Sequence, residues 1–370
     1  MKFTCEKNAL VNAISVASRT VAQKSTIPAL EGIYIRAGVK LTLSGYNLET
    51  GITISVDADI QQTGACIMPS RLFFDIIRKL PDDTVSISVD EKFKVSIRGG
   101  ISSFSITAMS SEDYPELPEV ESDKGISLPQ NELKAMIGGT SFAVSENQAR
   151  PIHTGCLFEV EDSSITVVAV DGYRLALRRW KSEEPIGRTL KFVVPAAALK
   201  EAEKILGDTD EACTFFLGSK HILFTIGEAT LVCRLLEGEF LDWRRVLPQN
   251  QPVKLAVNVA KMTESIERVG LIISEKLKSP VRCKFGENTA DFRSVSTIGE
   301  AHDVCQIAGD GQDMEIGFNC RYLLDALRAI PDAECSLELI NGLSPIVMNP
   351  CDGSERYSYM VLPVRLKAGE

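Results

Sequence analysis

The 370-residue sequence lacks the patterns of membrane proteins and of secreted, disulfide-bonded proteins. It has no uninterrupted apolar run near the roughly 20 residues that cross a bilayer, and residues 1–6 lack the apolar segment of a signal peptide. Its 10 cysteines are scattered, without a CxxC pair or a histidine at zinc-binding spacing. We therefore expect a cytoplasmic protein, without membrane contact, whose thiols are reduced and mostly buried.

Positive charge is also scarce in this sequence. Its 40 Lys and Arg residues face 50 Asp and Glu residues, for a net charge of −10. Binding to phosphate backbones needs clustered Lys and Arg, so a protein coated with basic residues for gripping nucleic acid is excluded. Any contact with DNA must therefore be local. The 44% of hydrophobic residues and the length predict two or three folded domains.

Common catalytic motifs are absent as well. The sequence contains no GxxxxGK[ST] loop, GxGxxG turn, GxSxG elbow or HExxH pair. His153, His221 and His302 lie in different segments, and a lone histidine is more often structural than catalytic. Acidic groups at residues 82–83, 112–113 and 310–313 are typical of solvated turns. We predict no catalytic residue, no metal site and no cofactor.

What the sequence does contain is a threefold repeat. Three segments with the pattern of a short strand running into a helix align on Pro69, Pro195 and Asn319, about 125 residues apart. A chain breaker and alternating strands follow each segment, and a further helix precedes each one, near residues 8–19, 130–140 and 260–269. Chance likeness explains one such pair, but three matching blocks favour three similar domains.

Proline-rich, acidic stretches predict where these domains join. They lie at residues 113–119 and 247–252. We accordingly expect domains at residues 1–123, 124–251 and 252–370.

A basic stripe recurs on matching helices of the repeat. At about 100° per residue, Arg71, Asp75 and Arg78 share the face opposite an apolar side. The third repeat carries Arg321, Asp325 and Arg328 at the equivalent positions, and the second carries Ala197, Glu201 and Lys204. On a single helix, a solvated face with internal ion pairs is the simpler interpretation. Recurrence favours a face that meets DNA phosphates without reading bases.

Four segments together resemble the bacterial sliding clamps, the beta subunits of DNA polymerase III. They are residues 1–4 (MKFT), 170–176 (VDGYRLA), 242–248 (DWRRVLP) and 359–366 (YMVLPVRL), and the likeness covers essentially the whole chain. The resemblance implies an α+β fold of three similar clamp domains, with outer antiparallel sheets and helices lining a central channel. Two such chains would pair head to tail in a ring.

The resemblance also implies a function and a set of partners. The chain would be a non-catalytic processivity factor that encircles duplex DNA regardless of sequence. Its partners would be a second copy of itself, the clamp loader complex and the DNA polymerase III catalytic subunit. Other polymerases, ligase and mismatch-repair proteins would bind through short peptide motifs.

Three sets of residues would carry this function, as the resemblance implies. DNA would contact cations on the channel side, namely Lys24, Arg71, Arg78, Lys200, Lys204, Arg321 and Arg328. The dimer would join Phe104 and Ile106 of one chain to Leu271 and Ile272 of the next. A peptide pocket between the second and third domains would be formed by Gly172, Tyr173, Arg174, Leu175, Leu241, Arg245, Val246, Val361, Leu362, Pro363 and Val364.

The sequence departs from the family pattern at several positions. Leu241 stands where a proline is expected, and Ile152 and His153 replace aromatic and apolar residues. Ala196 and Ala197 occupy a helix start that is often basic, and residues 367–370 extend the usual terminus. Two other functions stay open on the residues alone: an enzyme of unknown class, and a monomeric scaffold that binds peptides without encircling DNA.

Overall fold

The computed structural model describes residues 1–121, 124–273 and 279–366, and the fold is given for these residues. They form six α-helices and 23 β-strands. None of the described helices is both long and apolar enough to cross a membrane. The predicted boundary at Asp123 and the extension at residues 367–370 lie outside the described residues.

The helices are α1 (Lys7–Ala17), α2 (Ser70–Lys79), α3 (Gln130–Gly138), α4 (Ala196–Ile205), α5 (Val259–Gly270) and α6 (Cys320–Arg328). Up to residue 107 the strands are β1 (Lys2–Glu6), β2 (Gly32–Ala37), β3 (Leu41–Tyr46), β4 (Thr50–Val56), β5 (Asp59–Gln62), β6 (Gly64–Pro69), β7 (Thr84–Val89), β8 (Lys94–Gly99) and β9 (Ser102–Thr107). The next are β10 (Ile126–Pro129), β11 (Gly155–Glu161), β12 (Ser164–Val170), β13 (Arg174–Lys181), β14 (Leu190–Pro195), β15 (Ala212–Leu217), β16 (His221–Ile226) and β17 (Ala229–Arg234). The last are β18 (Val253–Asn258), β19 (Val281–Ser296), β20 (Gly299–Phe318), β21 (Glu334–Leu339), β22 (Ile346–Pro350) and β23 (Tyr357–Val361).

The predicted strand-to-helix repeat is confirmed. Each of the three aligned residues, Pro69, Pro195 and Asn319, immediately precedes a helix, which is α2, α4 or α6. The Asn319 side chain accepts a hydrogen bond from the Tyr322 backbone N–H at 3.3 Å, and so caps a helix end whose N–H groups lack partners within the helix. The second set of helices is α1, α3 and α5, and α1 ends two residues before the predicted Arg19.

The chain divides into two compact units. The first unit comprises residues 1–134 and 201–235, and its two antiparallel sheets have the strand orders β5-β1-β7-β8-β9 and β10-β15-β16-β17-β4-β3-β2-β6. Strands β15 to β17 of the middle repeat join this unit because β17 pairs with β4, Leu231 lying opposite Ile52.

The core of the first unit lies between its helices and sheets. Helix α1 contacts α2 and also β3 and β4. The apolar sides of the two helices, represented by Leu10, Ile14, Phe73 and Ile77, are fully buried there. The opposite side of α2 is left to solvent, as its amphipathic pattern predicts.

The second unit comprises residues 135–200 and 236–370. Its ten-stranded sheet has the order β14-β11-β12-β13-β23-β22-β21-β18-β20-β19. Strand β13 pairs with β23, so residues 174–178 of the middle repeat lie beside residues 357–361 of the last. Helices α5 and α6 pack on each other, and α5 also covers β19 and β20.

Two residues on different sides of α2 test the position of this helix against the first core. Ile77 is fully buried, whereas Leu72 is 49% exposed on the outer side of the helix. We expect Ile77→Ala to lower the free energy of unfolding by about 2–5 kcal/mol, because it removes packed atoms and leaves a cavity. Leu72→Ala should change it by less than about 1 kcal/mol. Urea denaturation followed by circular dichroism measures both, and equal losses would contradict the assigned helix face.

Candidate functional site

A cleft of about 900 Å³ lies within the second unit. Its lining combines apolar and aromatic side chains with charged groups of both signs, a composition suited to binding a peptide. The aromatic and apolar members are Phe142, Val144, Val170, Tyr173, Leu241 and Tyr322. The charged members are Glu146, Arg150, Asp171, Arg174, Lys200, Arg321 and Asp325.

Arg174 is the most heavily bonded side chain of the cleft, and it is only 7% exposed. Its Nε donates to Asp171 Oδ2 at 2.9 Å, and its Nη1 donates to Asp325 Oδ2 at 2.6 Å. Its Nη2 donates to the Phe142 carbonyl at 2.6 Å. The guanidinium carbon also lies 4.4 Å from the centroid of the Tyr322 ring, at a distance typical of a cation–π contact. These contacts hold the guanidinium in one orientation.

A tight turn before β13 presents Tyr173 to the cleft. Asp171 Oδ1 accepts hydrogen bonds from the backbone N–H groups of Tyr173 and Arg174, at 2.8 and 3.0 Å. Gly172 has a φ of +91°, a conformation that side-chain-bearing residues adopt at a cost. Tyr173 is left 61% exposed, and its ring stacks on Tyr322 with 6.0 Å between centroids.

The predicted pocket residues take three different positions. Gly172, Tyr173, Arg174 and Leu241 line the cleft. Val246 and Leu362 are half-buried against an apolar cluster that includes Phe240, Trp243 and Met360. Pro363 and Val364 follow β23 at the surface, and Arg245 points outward and pairs with Asp242 at 3.0 Å.

Two of the predicted pocket residues are buried core residues. Leu175 and Val361 are almost completely shielded from solvent, since β13 and β23 pair side by side at the centre of the ten-stranded sheet. Leu175 belongs to the apolar cluster, together with Val168 and Leu177. Neither residue is among those that line the cleft, and their place in the peptide pocket stays a prediction.

A short 3₁₀ turn (Trp243–Arg245) is fixed by the buried carboxylate of Glu159. Its Oε2 accepts from Trp243 Nε1 at 3.1 Å and from Arg244 Nη1 at 2.8 Å, and Lys191 Nζ lies 3.2 Å from Oε1. Burial alone would raise the pKa of Glu159, but these donors outweigh it and lower the pKa. The ionised carboxylate thereby anchors the segment that carries Arg245 and Val246.

His153 also lines the cleft. Its ring meets Phe240 edge to face, with 5.0 Å between centroids, and its Nδ1 is buried without a hydrogen-bond partner. Burial lowers the pKa of His153, and the nearby Arg150 lowers it further. Both effects favour the neutral ring at neutral pH.

The predicted DNA-binding cations of the first unit are exposed on helices and a loop. Arg71 forms no ion pair with any residue of the described part of the chain, and Lys24 is exposed in the segment after α1. Arg78 Nη2 lies 3.6 Å from Asp75 Oδ1, and the two residues form an ion pair. Lys204 Nζ lies 2.7 Å from Glu201, which also approaches Arg19 at 3.5 Å.

The second unit holds the remaining predicted cations. Arg321 and Lys200 are exposed and also line the cleft, so these two residues border both predicted binding surfaces. Arg328 Nη2 pairs with Glu267 of α5 at 2.6 Å. Asp325, which the helical pattern placed in the basic stripe, lies 3.9 Å from Arg321 and receives the stronger contact from Arg174.

The predicted dimer residues lie at or near unpaired sheet edges. Strand β9 ends the five-stranded sheet of the first unit, and β19 ends the ten-stranded sheet of the second. Phe104 of β9 is exposed, and Ile106 packs partly against the core. Leu271 directly follows α5 and is 81% exposed, with Ile272 half-exposed beside it.

Several residues that line the cleft could not be assigned to it from the sequence. Phe142 and Tyr322 flank Arg174 as ring partners, and Arg150 adds a cation to the lining. Asp325 lies 151 residues after Arg174, and a single sequence carries no signal for a pairing of that kind. In the described residues, no group of three or more His, Cys, Asp or Glu is placed to hold a metal ion.

Comparison with known proteins identifies the family. Models of the N-terminal, central and C-terminal domains of the DNA polymerase III beta subunit match residues 1–118, 127–242 and 244–365. A beta sliding clamp from Staphylococcus epidermidis is 32% identical over 99% of both chains.

Solved structures agree with these matches. The DNA polymerase sliding clamp from Bacillus subtilis has a TM-score of 0.94 at 30% identity, over 99% of this chain and 100% of that one. A Pseudomonas aeruginosa sliding clamp bound to griselimycin has a TM-score of 0.93 at 28% identity, over 99% and 100%. The predicted α+β fold of three clamp domains and the predicted non-catalytic role are confirmed. The chain belongs to the DNA polymerase III beta subunit family, the bacterial sliding clamps.

Proposed function

We propose that two copies of this chain form a ring around duplex DNA and hold the DNA polymerase III catalytic subunit on its template. A clamp loader complex opens one interface to admit DNA. Linkage to the ring keeps the polymerase near the primer end by raising its effective concentration. Two of the six strands that end the sheets of the described residues, β9 and β19, have exposed apolar residues at or near them, and this observation carries the proposal.

Head-to-tail pairing would join these two edges. An exposed strand edge presents unpaired N–H and C=O groups, which a second strand can satisfy. The exposed side chains of Phe104 and Leu271 would be removed from water at the same time. Since the two surfaces differ, the contact is heterologous, and the assembly closes only when the rotation between subunits fits.

Inside the ring, the basic helix faces would meet the phosphate backbone. Arg78, Lys204 and Arg328 already pair with carboxylates of their own chain, so each phosphate contact competes with an existing ion pair. Arg71, Lys24 and Lys200 have no such pair among the described residues. Such weak, sequence-independent contacts suit a ring that must slide. The acidic excess of the remaining surface would limit binding to other nucleic acid.

The cleft of the second unit would hold the tails of client proteins. The stacked rings of Tyr173 and Tyr322, together with Leu241, offer an apolar surface to side chains of a bound peptide. The hydrogen bond from Arg174 to Asp325 holds two of the lining residues in place. We propose that the polymerase catalytic subunit, other polymerases, ligase and mismatch-repair proteins dock there through short peptide motifs. Arg245, Val246, Leu362, Pro363 and Val364 would extend this surface, and the family member bound to griselimycin supports testing that compound as a competitor.

We also propose the three-domain division at residues 1–123, 124–251 and 252–370. The strand-to-helix repeat supports it, because α2, α4 and α6 start at equivalent points. Such a protein would work beside the chromosome in the cytoplasm.

Ring closure is tested with two exposed leucines of the second unit. Leu271 and Leu343 are 81% and 80% exposed, and only Leu271 belongs to the proposed interface. We expect Leu271→Asp to convert the dimer to monomers, because it places a charge in a desolvated contact. Leu343→Asp is the matched control and should leave the dimer intact. Sedimentation equilibrium at micromolar concentration measures the mass, and a wild-type protein that is strictly monomeric there would overturn the ring.

The channel is tested by charge reversal on α2. Arg71→Glu combined with Arg78→Glu should shorten the lifetime of the clamp on nicked circular DNA by about tenfold, because attraction to phosphates becomes repulsion. The control carries the same change of charge on strands, Arg36→Glu with Lys181→Glu, and should retain the wild-type lifetime. Lifetimes are measured by gel filtration at rising salt. Equal lifetimes for both double variants at every salt concentration would show that the stripe is only solvated surface.

The peptide cleft is tested at its exposed wall. Leu241→Asp should weaken binding of a labelled C-terminal peptide from the same organism's polymerase III catalytic subunit at least about tenfold. The reason is that an apolar side chain of the peptide loses the apolar surface against which it packs. Leu343→Asp is again the control, and both variants should remain dimers. Fluorescence anisotropy measures the affinity. Unchanged affinity in Leu241→Asp would reject this cleft as the docking site.

A further inference from the structure

The first unit holds a crevice of its own, between α1, β4 and the end of α4. We call it the α1 crevice. Its volume is about 290 Å³, compared with about 900 Å³ for the cleft of the second unit. Sites for whole small molecules usually begin near about 300 Å³, so this space suits a single residue or a group of that size.

The floor of the α1 crevice is apolar. Ile54, Ile226 and Ala229 line it, and each of them is no more than 8% exposed. Val16 and Ile205 also line it and pack against the core of the first unit. An aliphatic group that covers this floor is itself removed from water together with the surface it covers, and this favours binding.

Arg19 lines the crevice from the short 3₁₀ turn (Ser18–Thr20) that follows α1. Its Nη1 lies 3.5 Å from Glu201 Oε2, which is longer than a strong hydrogen bond. Its Nε is shielded from water and has no hydrogen-bond partner among the described residues. Since a guanidinium carries several N–H donors, Arg19 can still donate hydrogen bonds to an acceptor in the crevice.

The charges around the crevice leave a local positive excess. Glu201 is shared by two cations, since its Oε1 accepts a hydrogen bond from Lys204 Nζ at 2.7 Å while its Oε2 approaches Arg19. Glu228, which also lines the crevice, is paired with Lys40 at 3.0 Å. The crevice therefore combines positive charge with an apolar floor, and it suits a ligand that joins a carboxylate to an aliphatic body.

We infer that the α1 crevice binds the C-terminal residue of a partner protein, an aliphatic residue whose carboxylate accepts hydrogen bonds from Arg19. A C-terminal Leu, Ile or Val carries the carboxylate and the apolar side chain within one residue, and capture of a C-terminal carboxylate is a recurring mode of peptide recognition. An internal Asp or Glu lacks the apolar body, and a DNA phosphate has no group that covers Ile54 and Ile226. The site is independent of the peptide cleft proposed for the second unit.

Three short peptides test the two parts of this ligand. Acetyl-Gly-Gly-Leu with a free C-terminal carboxylate is compared with its C-terminal amide and with acetyl-Gly-Gly-Gly, which keeps the carboxylate but lacks the aliphatic side chain. We expect the full-length protein to bind the Leu acid about tenfold more tightly than the amide, as for a hydrogen bond to a charged group. The Gly acid should bind at least about threefold more weakly than the Leu acid, because the apolar contact is lost. Titrations followed by saturation-transfer NMR measure each affinity.

Two variants locate the binding site. Arg19→Gln removes the charge and should abolish the preference for the acid over the amide. Ser15→Phe places a ring in the crevice, which Ser15 lines, and should weaken binding of both Leu peptides at least about tenfold. Arg36→Gln on β2 is the matched control, since it removes an exposed arginine elsewhere in the first unit, and all three peptides should bind it as they bind the wild type. Thermal melting followed by circular dichroism checks that each variant is folded.

The remaining outcomes reject the inference. Equal binding of the acid and the amide, or an acid preference that survives in Arg19→Gln, would exclude capture of a C-terminal carboxylate by Arg19. Undiminished binding to folded Ser15→Phe would place the peptides outside the α1 crevice, and no binding to the wild type would reject the site itself. If Arg19→Gln shortens the lifetime of the clamp on nicked circular DNA and leaves the peptides unaffected, Arg19 serves DNA and not a protein partner.

Discussion

The structure depends above all on the need of every β-strand for a hydrogen-bonded neighbour. Strand β17 pairs with β4, and β13 pairs with β23, so the middle repeat is shared between two compact units. Each pairing provides hydrogen-bond partners for backbone groups that would otherwise be left at a sheet edge. Six strands end the three sheets of the described residues, and β9 and β19 are the two at or near which the proposed interface residues lie. A second copy would supply hydrogen-bonded neighbours to these two edges, as the proposed ring requires.

Arg174 connects the two surfaces that the proposed function requires. It stands at the start of β13, where it bonds the turn at Asp171, the carbonyl of Phe142 and the carboxylate of Asp325 on α6. That carboxylate also lies near Arg321, one of the proposed DNA-binding cations. Since breaking one partner of a buried ion pair leaves an uncompensated charge, this network is held as a unit. The proposed peptide cleft and the basic face of α6 thus share a rigid element.

Much of the architecture could be predicted from the sequence because it depends on local patterns. The helix starts after Pro69, Pro195 and Asn319, and the amphipathic α2, follow from spacing and helix-breaking residues alone. The continuity of the sheets could not be predicted in this way, since strand pairing between distant segments leaves no signal in one chain. For the same reason, the sequence alone did not show that Leu175 and Val361 are buried where their strands pair side by side.

A ring holds DNA by encircling it, and one measurement tests whether this protein does so. The clamp is loaded onto nicked circular DNA by a clamp loader, isolated by gel filtration and then treated with a restriction enzyme that linearises the DNA. A ring that encircles the duplex stays bound to the circle and is released within minutes once free ends exist. A protein that leaves the intact circle as quickly as the linear form, or remains on both, would contradict the account.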